Sequence, residues 1–168
     1  VSGASNITVS IGDKDYPATL VGEDTTSDIA VVKVDATGLT PATVGNSDSL
    51  KVGESVMAVG NPLGELGGTV TSGIVSALNR SVSIQGSSSV NTMSLIQMDA
   101  SVSPGNSGGG LFDVNGNLIG INTLKMSTTD DTEDTVEGLG FALPISSVSF
   151  VVNDIIATGS YRGAPSLG

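Results

Sequence analysis

One serine stands among four glycines in "SPGNSGGGLF", residues 103–112. A serine hydroxyl becomes a nucleophile when a neighbouring base takes its proton, and acyl transfer then needs donors aimed at the oxygen that develops negative charge. Glycine serves the second need, because a backbone without Cβ can turn so that two N–H groups face one point. Gly105 and Ser107 have the spacing for such a pair. Gly105, Ser107 and Gly109 also fit G-x-S-x-G, which in α/β-hydrolases marks a strand, a sharp turn and a helix. The adjoining stretch, "GGLFDVNGNLIGINTL" at 109–124, reads instead as a β-hairpin with Asn115-Gly116 at its tip, so the elbow reading is weak. Taken alone, a serine in a glycine-rich turn is ordinary turn chemistry, and the rest of the chain must decide.

No residue of the 168 is histidine, so the commonest general base is missing. The commonest metal ligand is missing with it, and there is no cysteine, which excludes the usual zinc motifs, disulfides and thiol chemistry. No cofactor is implied. A serine–lysine dyad would have to use Lys14, Lys33, Lys51 or Lys125, all of which read as surface or loop residues. Six basic against seventeen acidic residues leave a net charge of −11, which argues against nucleic acid as a partner, since phosphate contacts draw on clustered Lys and Arg. The acidic run "DDTEDTVE" at 130–137 reads as a solvated loop; it lacks the ligand spacing and central glycine of an EF-hand, so no metal site is expected there.

The elements that must position Ser107 are mostly strands. Apolar residues alternate over short runs bounded by Gly, Asn, Asp and Pro. The runs are "NITVSIG" at 6–12, "YPATLVG" at 16–22, "DIAVVKVD" at 28–35, "ESVMAVGNP" at 54–62, "GTVTSGIVSAL" at 68–78, "MSLIQMD" at 93–99, the hairpin at 109–124 and "GLGFALP" at 138–144. Residues 81–92 read as a serine-rich loop and 36–53 as a linker without sustained period. Only after 144 does the period become helical, with Ile145, Val148, Val151, Val152, Ile155 and Ile156 on one face, Ser146 or Ser147 placed to cap the helix and Gly159 to end it. The fold class is therefore all-β with one C-terminal helix.

Four stretches, in order, carry a more specific resemblance: "TSDIAVVKV" at 26–34, "VGNPLGELGGTVTSGIVSALNR" at 59–80, "IQMDASVSPGNSGGGLFDVNGNLIGINT" at 96–123 and "GLGFALPI" at 138–145. They resemble the consecutive signatures of the HtrA family of trypsin-like serine proteases. The resemblance implies a chymotrypsin/trypsin-like double β-barrel and endopeptidase action on unfolded or damaged polypeptides outside the cytoplasm, in protein quality control and without a cofactor. It divides the chain into a partial N-terminal β-barrel at 1–40 continuing to about 62, a C-terminal barrel at 63–144, the terminal helix at 145–158, and a tail at 159–168 that resembles the approach to a PDZ domain.

Carried over by motif, the resemblance makes Ser107 the nucleophile and Asp28 the carboxylate that orients the base. The turn Gly105, Asn106, Ser107 becomes the oxyanion hole, with the N–H groups of Gly105 and Ser107 as its donors. Val102, Thr123, Leu124 and Lys125 become the substrate-binding wall. In the family the catalytic histidine precedes a strand resembling "NITVSIG", so it is expected upstream of Val1 together with the first strands of an incomplete N-terminal barrel. The 168 residues are then an inactive fragment of an enzyme that is a homotrimer in the family's usual form. The rival is a non-catalytic peptide-binding module that kept the fold. Such a module would be free to lose Asp28, Gly105 or Ser107, and all three match the active pattern.

Overall fold

The computed structural model describes residues 1–62, 67–85, 90–123 and 139–163, with side chains for all of these but 83–85 and 90–92. The acidic run at 130–137 lies outside them. Two compact units are present: Val1–Pro41 with Val148–Gly168, and Ala42–Ser147.

In the first unit β1 (Ile7–Ile11), β2 (Lys14–Asp24) and β3 (Ile29–Val34) form an antiparallel sheet in chain order. Ile7, Val9 and Ile11 share one half-buried face, as period two requires. The ladder of β2 with β3 slips between Leu20 and Gly22. At that slip Gly22 meets the end of helix α1 (Ile145–Thr158), where a Cβ on it would fall 2.9 Å from the Ile155 side chain and closer to the Gly159 carbonyl. Gly159 (φ 81°) ends the helix by donating its N–H to the Ile155 carbonyl at 2.7 Å, as the sequence predicts.

The second unit is built on a ring. Its strands are β4 (Thr43–Val44), β5 (Ser55–Gly60), β6 (Thr69–Gln85), β7 (Val90–Met98), β8 (Gly110–Asp113), β9 (Asn117–Thr123) and β10 (Gly140–Pro144). The sheet runs β10-β7-β6-β5-β8-β9, and β10 also pairs with β9, from Phe141 opposite Thr123 to Pro144 opposite Gly120. Six strands thus close into a barrel, which leaves no free edge among them. β4 adds to β9 in parallel, outside the ring. The core comes from alternate residues, Val56 and Ala58 of β5 and Ile96, Met98 and Ala100 on and just after β7, joined by Val75, Leu111, Ile119 and Ala142.

Three local expectations need correction. The serine-rich stretch at 81–92 is largely ladder, with Ser81 opposite Ser94 and Ser83 opposite Thr92. Backbone pairing holds polar residues in strands without an apolar alternation to announce them. The helix begins at Ile145, and its cap is neither Ser146 nor Ser147. The Ser147 position lies inside the helix, while the buried Ser47 hydroxyl accepts the Ser146 N–H at 3.1 Å and bonds the Ser146 hydroxyl at 2.9 Å. Ile156 is exposed with Phe150, and the buried stripe is Ile145, Val148, Val151 and Ile155.

The Asn115-Gly116 hairpin is present in a different turn. Only Gly116 has positive φ, 79°, and the loop between β8 and β9 is three residues long. The Asp113 carboxylate imposes this form by accepting from Asn115 N at 2.8 Å, Asn117 N at 2.9 Å and Asn117 Nδ2 at 2.8 Å. Those bonds, the Asn117 side chain first, hold the Asp113 pKa below the ordinary carboxylate value. A carboxylate with a depressed folded pKa stabilises fully above its unfolded value and loses that contribution as pH falls through the lower, folded one. Acidification from about pH 5 to about pH 2.5 is therefore expected to lower the melting temperature more for the native chain than for Asp113→Asn. Parallel losses in thermal scans of the two proteins would show that the charge contributes nothing.

Candidate active site

The geometry around Ser107 comes from two turns placed back to back. The Ser103 carbonyl accepts from Asn106 N at 2.9 Å, with Pro104 and Gly105 (φ 97°) between them. This is the type II arrangement, which favours proline at its first central position and needs positive φ at the second. The Asn106 carbonyl then accepts from Gly109 N at 3.0 Å across Ser107 and Gly108 (φ 86°). Asn106, where the turns meet, is 2% exposed, and Ser107 lies on the surface. Among the described residues the N–H groups of Gly105 and Ser107 have no acceptor. The sequence-derived oxyanion turn, Gly105, Asn106 and Ser107, is thus one continuous piece of backbone carrying two uncommitted donors.

Beneath the turns, β5, β8 and β9 are tied to them. Gly105 O accepts from Asn61 N at 3.2 Å, Gly108 N donates to Asn122 O at 2.9 Å, and Asn122 N donates to Gly109 O at 2.8 Å. Register pairing of β5 with β8 reaches from Val56 opposite Asp113 to Ala58 opposite Leu111. Beyond it the Asn122 amide, 1% exposed, donates to both Val59 O and Gly110 O at 3.2 Å. A Cβ on Gly109 would collide with the Val59 carbonyl. The side-chain oxygens of Asn106 and Asn122 are both buried without a hydrogen-bond partner.

The approach to the turns is fastened to β6. Asp99 accepts from Ile74 N at 2.6 Å, and Thr71 donates its hydroxyl to Ser101 O at 2.8 Å. Gly73 permits this closeness, since a Cβ there would overlap Asp99 and Ala100. Two of the expected wall residues meet at one corner of the barrel. Val102 packs on the core, its Cγ2 2.9 Å from where a Gly140 Cβ would stand, and the neighbouring Phe141 pairs with buried Thr123. Leu124 and Lys125 lie outside the described residues.

Asp28 belongs to the other unit. It is exposed, has a φ of 58° and immediately precedes β3. The loop before it is shaped by Asp24, whose carboxylate accepts the Ser27 N–H at 2.8 Å and the Ser27 hydroxyl. Aspartate is among the few residues that tolerate left-handed backbone, and non-glycine residues held there cluster at functional sites.

Sequence reasoning missed Gly60, Asn122, Thr71 and Asp99 as parts of this arrangement. A glycine within a strand pattern, such as Gly60 or Gly73, signals close backbone approach, and that signal was available. The partners were not, because they come from 25 to 63 residues away.

The trypsin-like peptidase domain model matches residues 1–121. The serine protease PepD of Mycobacterium tuberculosis is 47% identical over 168 residues, covering 96% of this chain and 36% of the relative. A probable periplasmic serine protease do/HhoA-like of Haemophilus influenzae is 45% identical, covering 96% and 34%. The chain thus spans about a third of the length of the curated relatives it matches. The solved HtrA-type protease AlgW with a decapeptide superposes with a TM-score of 0.78 at 42% identity, over 94% of this chain and 46% of that one.

The Asn122 bridge is open to direct test. Asn122→Asp keeps the shape and removes the donor, which strands two backbone carbonyls beside a carboxylate. An unsatisfied buried acceptor costs about 1–3 kcal/mol, so urea unfolding at neutral pH should show a loss of at least that size. Native-like stability of Asn122→Asp would mean that the amide does not hold β5 to β8.

Proposed function

Because this chain belongs to the trypsin-like peptidase family, in its HtrA branch, we propose that Ser107 is the nucleophile of a serine endopeptidase acting on unfolded or damaged proteins. The observation that carries the proposal is the pair of turns at 103–109, which leaves the N–H groups of Gly105 and Ser107 without acceptors beside an exposed hydroxyl. In this reading a histidine supplied from outside the 168 residues removes the Ser107 proton as Oγ bonds to the scissile carbonyl carbon. The carbonyl oxygen takes up the negative charge between the two N–H groups. The histidine then returns the proton to the departing amine as the carbon–nitrogen bond breaks, and water releases the acyl group by the same steps in reverse. Asp28 orients the histidine and stabilises its charged form. Asp28, Ser107 and the Gly105 turn all keep the residue types this chemistry needs, which favours an enzyme over a peptide-binding module.

Val102 and Thr123, with Leu124 and Lys125, are proposed to line the primary specificity pocket. Tryptic enzymes often carry an acid six residues before the nucleophile, and Ser101 stands there in this chain. A wall of this kind gains from buried methylenes and would leave a substrate ammonium unpaired, at a cost of about 1–3 kcal/mol or more. Cleavage is therefore expected after small aliphatic residues such as Val, Ala or Ile. The location proposed is outside the cytoplasm, in keeping with the relative named as periplasmic. A homotrimer and a downstream PDZ domain belong to the same proposal for the full-length protein.

Two forms of the protein separate the outcomes. The 168-residue chain is expected to resist labelling by a fluorophosphonate and to leave casein intact, because it holds no base. A longer form that carries the histidine should label at Ser107, lose labelling in Ser107→Ala, and cut an unfolded protein mainly after small aliphatic residues by mass spectrometry. No labelling of the longer form would overturn the enzyme reading, and cleavage mainly after Lys and Arg would overturn the pocket assignment.

A further inference from the structure

We infer that Gly60 is a positioning residue for the nucleophile turn, an inference that rests on the serine-endopeptidase reading of that turn. Gly60 ends β5 and is not among the glycines with positive φ, so its backbone does not demand glycine. The demand is for space. A Cβ on Gly60 would lie 2.7 Å from both Cα and Cγ of Asn106, and nearer still to Oδ1. Asn106 has nowhere to retreat, since its N–H closes one turn, its carbonyl closes the next, and it is 2% exposed.

The Asn106 amide therefore fills the place of a side chain that Gly60 lacks. This also accounts for a buried oxygen without a conventional donor. The Cα–H of Gly60 that a Cβ would replace is aimed at Asn106 Oδ1, and such a bond is a weak donor worth less than an N–H. The next residue completes the grip, because Asn61 N holds the Gly105 carbonyl at 3.2 Å. The end of β5 thus fixes the first turn at Gly105 and the junction at Asn106. Pushing Asn106 aside moves the two N–H groups on either side of it apart from their common target. Loss of one oxyanion donor lowers kcat by about 100- to 1,000-fold, so a misplaced pair should cost on the order of 100-fold.

The test is a cycle of Gly60→Ala, Asn106→Ser and the double variant. In the 168-residue chain, Gly60→Ala should shift the Gly105 and Ser107 amide resonances and speed hydrogen exchange at Gly108 and Gly109 by about tenfold or more, since opening of the turns exposes both bonded amides. Asn106→Ser removes the colliding atoms, so adding Gly60→Ala to it should leave those signals nearly unchanged. In a longer form carrying the histidine, Gly60→Ala should lower kcat with KM within about threefold, and the double variant should recover at least about tenfold of the loss. Should Gly60→Ala fold only together with Asn106→Ser, that rescue is itself the expected coupling. Additive shifts in the two backgrounds, an unmoved turn, or unfolding of Gly60→Ala in both would overturn the inference. If the longer form proves inert to a fluorophosphonate, the function reading falls while the amide cycle still decides the steric one.

Discussion

The closure of the barrel by β10 is the constraint on which the rest depends. β10 is five residues long and pairs with β7 on one side and β9 on the other, turning an open sheet into a ring. The ring fixes where β9 ends, at Thr123, and Asn122, one residue earlier, reaches back to hold β5 and β8 where their ladder gives out. Without that closure nothing would hold Asn122 beside Val59, and the double turn at 103–109 would lose the strand that receives it. The apolar core of alternate residues supplies the free energy, as burial does in any domain of this size. Closure decides where that free energy places the backbone.

Chemistry enters through what the barrel leaves unsatisfied. Two backbone N–H groups at Gly105 and Ser107 lack acceptors at an exposed turn, and two side-chain oxygens at Asn106 and Asn122 lack donors in the interior. The exposed pair faces a place where water or a substrate oxygen can serve. The buried pair is tolerated because each amide does other work, Asn122 by bridging two carbonyls and Asn106 by joining two turns. Preorganised donors are the form of catalysis that costs no rearrangement at the moment of reaction. Glycine at 60, 73 and 109 is what lets the backbone segments approach closely enough to set those donors in place.

Local pattern was legible and distant partnership was not. The alternating runs marked every long strand of the barrel, and "SPGNSGGGLF" marked the turn, because strand period and turn chemistry are written in neighbouring residues. The ladder at 81–85 and 90–94 escaped, since Ser81, Ser83 and Ser94 announce a loop by type yet pair through backbone. Ser47 escaped as the helix cap because it is 99 residues from Ser146. Ile156 fits the helical period as well as Ile155 does, and only the packing decides that one is buried and the other exposed. Gly60 stood in plain view within a strand, but its meaning depends on Asn106.

The central claim, that Gly105 and Ser107 aim their N–H groups at one point, can be tested without any base. A short peptide ending in a Val carboxylate offers the oxygen of a cleavage product to that point. Titrated into the 168-residue chain and followed by amide resonances, it should shift the Gly105 and Ser107 protons downfield together with a single affinity, and should do so equally in Ser107→Ala. Shifts confined to one of the two amides, or absent from both at saturation elsewhere on the chain, would contradict the account.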